Sequence, residues 1–443
     1  MKVKTDYKSI WELSYPIMLG GLATTLLNLT DTAFVSRLGE TELASMALTT
    51  IFYFVVVMIA FSVGTGLQIL MSRRAGEGDR IEIGRIFDNG FLILSVASAM
   101  FTIALYVFTP LFFESILTSP GIVNASNDYM SLRSFGIPFA FIMVCFRSFY
   151  IAIGKTRIII YTSIIMLVMN AVLDYMLIFG KFGMPEMGIK GAAMASVISE
   201  ATALIFLAIY SARKHEFKEF QLFRFQFISR ERINSIIHLS SPVVLQNLVS
   251  MSAWFFFFVV IEHMGERELA ISNIIRATYM LMMTPVWGFA SATNSMVSNL
   301  IGQGLQDQVS TLVKRIIKLA MGTSLALCLL LAISPETILS ISTSDQTIIQ
   351  DAMGCYWIIS GAMFLFSFSI ILLSTVSGTG STTAAMVIEV VNIIIYLAYV
   401  YFCAIILKSS IEWVWFSEAF YWIMMGLFSY AYLRTGKWKQ IKI

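Results

Sequence analysis

Gly39-Glu40-Thr41-Glu42-Leu43-Ala44 returns as Gly265-Glu266-Arg267-Glu268-Leu269-Ala270, 226 residues on and without a gap. Other markers keep the same offset. Upstream, Leu13-Ser14-Tyr15-Pro16 returns as Leu239-Ser240-Ser241-Pro242. Downstream, Gly76-Glu77-Gly78 returns as Gly302-Gln303-Gly304, and Gly154-Lys155-Thr156 as Gly380-Ser381-Thr382. Four markers at one spacing divide the 443 residues into two homologous halves.

Composition sets the solvent. Hydrophobic residues make up 58% and charged residues 13%, against about 45–50% and about 25% in soluble domains. Such a chain cannot cover itself with polar surface, so the bilayer is its solvent. Apolar stretches long enough to cross about 30 Å of hydrocarbon number twelve, near 10–37, 45–72, 87–113, 127–151, 158–179, 189–212, 233–262, 269–298, 313–334, 349–377, 382–407 and 411–434. The expected fold is an all-α integral membrane protein of twelve transmembrane helices. Residues 1–212 form an N-terminal lobe, 213–232 a cytoplasmic linker loop, and 233–443 a C-terminal lobe. An even number of spans per half makes the repeats parallel, related by a pseudo-two-fold axis along the membrane normal. Two repeats in a very apolar chain are the plan of a secondary transporter, with its binding site between the halves.

Basic residues orient the chain. With the N-terminus cytoplasmic, inside segments carry 22 Lys and Arg and outside loops carry 5. Both termini are therefore expected inside, in a multi-pass cytoplasmic (inner) cell membrane. The first span contains Pro16 and Asp31 and no small-residue cleavage site, so it reads as a retained span and not a leader. Cys145, Cys328, Cys355 and Cys403 lie singly in apolar spans, as buried small hydrophobes do. His215, His238 and His263 are scattered. No Gly-rich phosphate loop, His-Glu-x-x-His or Gly-x-Ser-x-Gly motif occurs. The chain therefore reads as no enzyme, with no cofactor, driven by an ion gradient. Its net charge of +3 comes from the inside loops and calls for no nucleic acid.

The informative residues are acids placed where water is scarce, because an ionisable side chain within a span marks function by default. Asp31 lies eight residues before Gly39, about 12 Å below the outer end of the first span. Asp174 lies six before Gly180, about 9 Å below the outer end of the fifth. Asn170 and Asn28 precede them by four and three residues, on the same helical faces. Two acids and two amides could bind a proton or, as a metal site of oxygen ligands at Asp31 and Asp174, a Na⁺. At the repeat offset Asn28, Asp31, Asn170 and Asp174 become Trp254, Phe257, Tyr396 and Val400. The constellation exists in one half only, so it does not serve folding common to both.

At these residues the chain resembles multidrug and toxic compound extrusion (MATE) transporters. The first-span stretch Thr30-Asp31-Thr32-Ala33-Phe34-Val35-Ser36-Arg37-Leu38-Gly39-Glu40 carries the likeness. So do Ala152-Ile153-Gly154-Lys155-Thr156-Arg157, Gly188-Ile189-Lys190-Gly191-Ala192-Ala193-Met194-Ala195 and Gly378-Thr379-Gly380-Ser381-Thr382. Asp31 with Asn170-x-x-x-Asp174 is similar to the DinF-like branch, whose cation site lies in the N-terminal lobe. The NorM-like branch adds acids in the seventh and tenth spans. Here the tenth span is read as free of carboxylate, and Glu262 lies at the outer end of the seventh. The resemblance implies drug efflux by H⁺ or Na⁺ antiport through alternating access. The runner-up is a flippase for lipid or lipid-linked oligosaccharide of the same superfamily, which would want a basic cavity.

Two more intramembrane acids are candidates for substrate or a secondary ion. Glu200 sits mid-span in the sixth helix, where the bland alternative is a local hydrogen-bond network. Glu389, three residues before Asn392, reads as the only well-buried acid of the C-terminal half. Trp254, within Trp254-Phe255-Phe256-Phe257-Phe258, and Met280 suit a pocket for lipophilic cationic small molecules. Besides these, the expected partners are membrane lipids, and the chain is expected to be a monomer. Pro16 with Gly20 and Gly21 is the expected hinge, since proline removes a backbone hydrogen bond and glycine permits altered packing.

Overall fold

The computed structural model describes residues 2–214, 216–225, 228–343, 345–441 and 443. His215 and part of the 213–232 segment lie outside the described residues. Twelve long helices are present among those described: α1 (Tyr7–Val35), α2 (Glu40–Glu77), α3 (Arg80–Ile116), α4 (Pro120–Ala152), α5 (Arg157–Ile178), α6 (Ile189–Arg213), α7 (Arg230–Glu262), α8 (Glu266–Gly302), α9 (Val309–Ala332), α10 (Gln346–Gly378), α11 (Thr382–Ile406) and α12 (Ile411–Arg434). Among the described residues, nine helices are long and apolar enough to span a membrane by composition alone. The other three, α1, α8 and α12, match them in length. The expected all-helical membrane fold is what forms.

Helix limits repeat with the sequence. Moving α4 along by 226 residues lands on α10 at both ends. The turns joining α1 to α2 and α7 to α8 each hold a glycine, Gly39 and Gly265, at φ of 151° and 152°. L side chains rarely adopt that conformation, so the repeated glycine is a requirement of the turn. One difference is local: a 3₁₀ turn at Ser134–Gly136 interrupts α4, whereas α10 runs through.

The chain divides into two compact units. Unit 1 holds Leu19–Ser240, and unit 2 holds Lys2–Met18 with Ser241–Ile443. The limits fall inside α1 and α7, beside the repeated prolines Pro16 and Pro242. In unit 2 the leading segment is tied by Arg315 Nη1 donating to the Thr5 carbonyl at 2.7 Å, and Gly288 leaves room for Met18. In unit 1 the polar segment after α6 folds onto the start of α3. Asp88 accepts from the backbone N–H of Phe223 at 2.7 Å and of Phe225 at 3.0 Å. Arg232 meets Glu82 through Nε at 2.6 Å and Nη2 at 3.0 Å. All four cysteines are free and buried.

Candidate cation site

α5 and α6 pack tightly because α6 presents small residues. A Cβ on Gly191 would stand 2.6 Å from the Leu177 backbone, and Ala192, Ala193 and Ala195 are buried. At the ends of α1 and α5, Val35, Ile178, Ile189, Met46 and Tyr129 form an apolar cluster. Asp31 and Asp174 each lie one turn before that cluster, on α1 and α5.

These two carboxyls lie close enough to interact, with Asn170 beside them. Asp174 and Asn170 are fully buried. Oδ1 of Asp31, both oxygens of Asp174 and both amide atoms of Asn170 nonetheless lack a well-formed hydrogen bond to the protein. Buried polar atoms are normally satisfied, so five orphans at one place mark a site built for a ligand. Oδ2 of Asp31 accepts a long bond from Ser196 Oγ at 3.5 Å. Tyr129, buried on α4, lies within electrostatic reach of both acids. Neither Ser196 nor Tyr129 was singled out for this site by sequence. Asn28 is exposed, so the structure does not bring it into the buried group.

Two carboxylates, an amide and the Ser196 hydroxyl are an oxygen donor set that suits a proton or a hard monovalent cation. Like charges this close cannot both stand bare, so the pair is suited to holding one cation between them. Among the described residues no group of three or more His, Cys, Asp or Glu assembles a conventional metal site.

Glu200 is spoken for. Arg133 clasps it with both guanidinium arms, at 2.9 and 2.6 Å, and Tyr53 Oη donates at 3.1 Å. The guanidinium carbon sits 3.6 Å above the Tyr53 ring. This network pins α2, α4 and α6 together, and Arg133 still reaches Asp31 electrostatically. Gly136, in the 3₁₀ turn, leaves room for it: a Cβ there would lie 2.6 Å from Glu200.

Unit 2 corrects two readings. Glu389 is buried, but it is not alone: Glu418 on α12 is buried too, accepting from Tyr279 Oη at 3.1 Å and Tyr396 Oη at 3.2 Å. The tenth span does hold a carboxylate, Asp351, in the second turn of α10. It is exposed and bonded to Arg267 Nε at 2.6 Å, as befits a helix end in water. Glu262 is likewise exposed. Trp254 is half-buried and stacks on Phe258, while Met280 is exposed. Through Pro16, Gly20 and Gly21 α1 stays helical. The carbonyls of Gly20 and Gly21 also accept from Thr24 and Thr25 hydroxyls, at 3.1 and 3.2 Å.

A twelve-helix membrane fold with a buried acid pair in one of two repeats defines a secondary transporter class. The sequence model of the family described as MatE matches residues 16–176 and again 242–402, two matches at the same 226-residue offset. The chain belongs to the MATE family. The "Probable multidrug resistance protein NorM" of Agrobacterium fabrum is 30% identical over 342 residues, 75% of this chain and 71% of that protein. Among solved structures, an outward-facing multidrug resistance MATE family transporter of the MOP superfamily superposes with a TM-score of 0.90 at 21% identity. It covers 98% of this chain and 97% of its own. A MOP superfamily transporter from Pyrococcus furiosus, described as having a binding pocket of reversed polarity, gives 0.91 at 20% identity over the same shares.

Proposed function

We propose that this MATE transporter is a multidrug efflux antiporter that exchanges H⁺ or Na⁺ for lipophilic, cationic small molecules by alternating access. The buried, under-bonded cluster of Asp31, Asn170 and Asp174 carries the reading. Ser196 and Tyr129 complete it, and the Arg133–Glu200 pair positions α4 and α6 around it. Binding a cation neutralises the acid pair and removes the cost of burying it, which biases the conformational equilibrium. Drug leaves on the side from which the ion arrives.

Finer points belong to the same proposal. The contrast of 22 inside to 5 outside basic residues supports cytoplasmic termini in the inner membrane. Although relatives bear the name NorM, the acid pair in unit 1 supports a DinF-like coupling site, because the acids of α7 and α10 lie exposed at helix ends. Hinging at Pro16, Gly20 and Gly21 is supported by the threonine back-bonds, which loosen and bend helices. Trp254 and Met280 remain the drug-facing candidates, and a monomer suffices for the cycle.

Dye efflux from energised vesicles, under a pH gradient and a Na⁺ gradient imposed separately, tests the proposal. One gradient should drive efflux in wild type and fail to drive it in Asp31→Asn. Intact coupled efflux in that variant overturns the reading.

A further inference from the structure

Unit 2 holds buried acids that the coupling site above does not use. Glu418 has both oxygens engaged by tyrosine hydroxyls. Glu389 on α11 is different. Its Oε1 accepts from Ser250 Oγ on α7 at 2.8 Å and from Tyr421 Oη on α12 at 2.5 Å. Its Oε2 is buried without a protein partner, and so is Oδ1 of Asn392. Asn392 lies three residues on along the same helical face and is 1% exposed. Its Nδ2 donates to the Tyr421 carbonyl at 3.1 Å, which leaves its oxygen, an acceptor, uncommitted. Two unpartnered buried oxygens thus stand one turn apart.

The surroundings select the ligand. Tyr421 gives its proton to Oε1, and Ser250 shares its own between Oε1 and the Gln246 carbonyl at 2.9 Å, so neither offers one to Oε2. The titratable groups facing the site are Tyr421 on α12, Tyr396 on α11, whose ring meets Tyr421 at 5.3 Å, and Glu418 beyond them. Among the described residues no Lys, Arg or His pairs with Glu389 or Glu418. Hard metal cations collect about six oxygen ligands, and two bare oxygens are too few. A single proton on Oε2 neutralises the group and supplies the donor that the site lacks.

We propose that Glu389 is a second proton-binding site of the transport cycle, positioned by Ser250, Tyr421 and Asn392. It rests on the ion-coupled reading above. Because these residues come from α7, α11 and α12, protonation bears on the packing of three helices. Ser250 lies one turn before Trp254, which places the proton beside a candidate drug contact. Repeat comparison sets this site apart from the first. Glu389 matches Ser163, and it lies seven residues after the start of α11. Asp174 lies four residues before the end of α5. The two sites occupy opposite ends of homologous helices.

The test is pH-difference infrared spectroscopy of the purified full-length protein, paired with counting protons exchanged per drug in vesicles. A titrating carboxylic-acid band should be absent in Glu389→Gln, kept in Asp31→Asn, and shifted but kept in Ser250→Ala, which removes one of two hydroxyl donors. Glu389→Gln should also exchange fewer protons per drug than wild type. An unchanged band in folded Glu389→Gln overturns the proposal. A lost band with an unchanged proton count also overturns it, because the proton is then structural. A wild type that exchanges Na⁺ alone does the same. Failure of the Asp31 site alone would show as coupled efflux surviving in Asp31→Asn, an outcome the Glu389 band does not depend on.

Discussion

α1 and α7 are copies, as are α5 and α11, yet the positions that hold the acid pair carry opposite chemistry in the two. In unit 1 the inward positions are Asp31, Asn170 and Asp174, with five polar atoms left unbonded. Their matches in unit 2 are Phe257, Tyr396 and Val400, all buried. Phe257 lies against Tyr396 with ring centroids 6.0 Å apart, and meets Trp415 edge-on at 5.2 Å. One helix arrangement thus accepts either filling, and only the apolar one improves packing. Unit 1 gives up stability at these positions, as functional sites commonly do.

The largest effect should come from erasing the difference on the polar side. Asp31→Asn or Asp174→Asn should bring ion-coupled efflux down to background in vesicles while the protein still folds, because an amide cannot exchange charge with a cation. Equal loss from both would show that the acids act as one site.

Introducing the polar side chain where the copy is apolar should damage folding. Phe257→Asp removes a fully buried ring, costing about 3–5 kcal/mol, and leaves an unpaired carboxyl in an aromatic cage. Thermal unfolding in detergent should show a loss above about 5 kcal/mol, or no folded protein. A well-folded Phe257→Asp would mean that the two interiors are interchangeable and would break the comparison.

The Arg133–Glu200 pair is also confined to unit 1, since Glu200 matches Gly426. Arg133→Met alone strands a buried carboxylate and should cost about 3–5 kcal/mol, whereas Arg133→Met with Glu200→Met should return to within about 1 kcal/mol of wild type. A double variant as unstable as the single would mean that packing rather than charge sets the cost. Efflux by the double variant then reports whether positioning α4 and α6 matters to the cation site.

The parts of this comparison differ in how visible they are in sequence. Helices were legible, with ends off by up to seven residues as at the starts of α3 and α4, because crossing hydrocarbon demands long apolar runs bounded by glycine turns and charge. Asp31 and Asp174 were legible because an acid stands out in such a run. Ser196 and Tyr129 were not: serine and tyrosine are ordinary in membrane helices, and only the α4 and α6 packing brings them to the acids. Arg133 and Glu200 are 67 residues apart, and their pairing is a tertiary fact. Glu418 was legible by the same rule, as an acid within the twelfth span, and was passed over; only its pairing with Tyr279 and Tyr396, 139 and 22 residues away, is a tertiary fact. Asn28 misled for a geometric reason. Three residues along a helix leave Asn28 a neighbour of Asp31 on the helix surface, but the surrounding chain covers Asp31 more than Asn28, which is exposed.

The smallest effect lies at a cap that only one repeat uses. Asp345 precedes α10, and its carboxylate accepts from the Thr347 N–H at 2.8 Å and the Thr347 hydroxyl at 2.7 Å. The same position before α4 is Ser119, whose side chain makes no capping bond. The Thr347 hydroxyl, then the Thr347 N–H, holds the Asp345 carboxyl below the usual range. A depressed carboxyl stabilises the fold above its ordinary titration range, and that contribution is lost as pH falls through the lowered value. Asp345→Ala should therefore lower the unfolding temperature slightly at neutral pH and not at all in acid, because the wild-type cap is by then protonated. Ser119→Asp should do the reverse in unit 1, adding a cap where backbone at φ −87° and ψ 114° is already in the extended region that a cap requires. If Ser119→Asp gains nothing while Asp345→Ala loses stability, the difference resides in the first turns of α4 and α10, where Pro120 stands opposite Gln346.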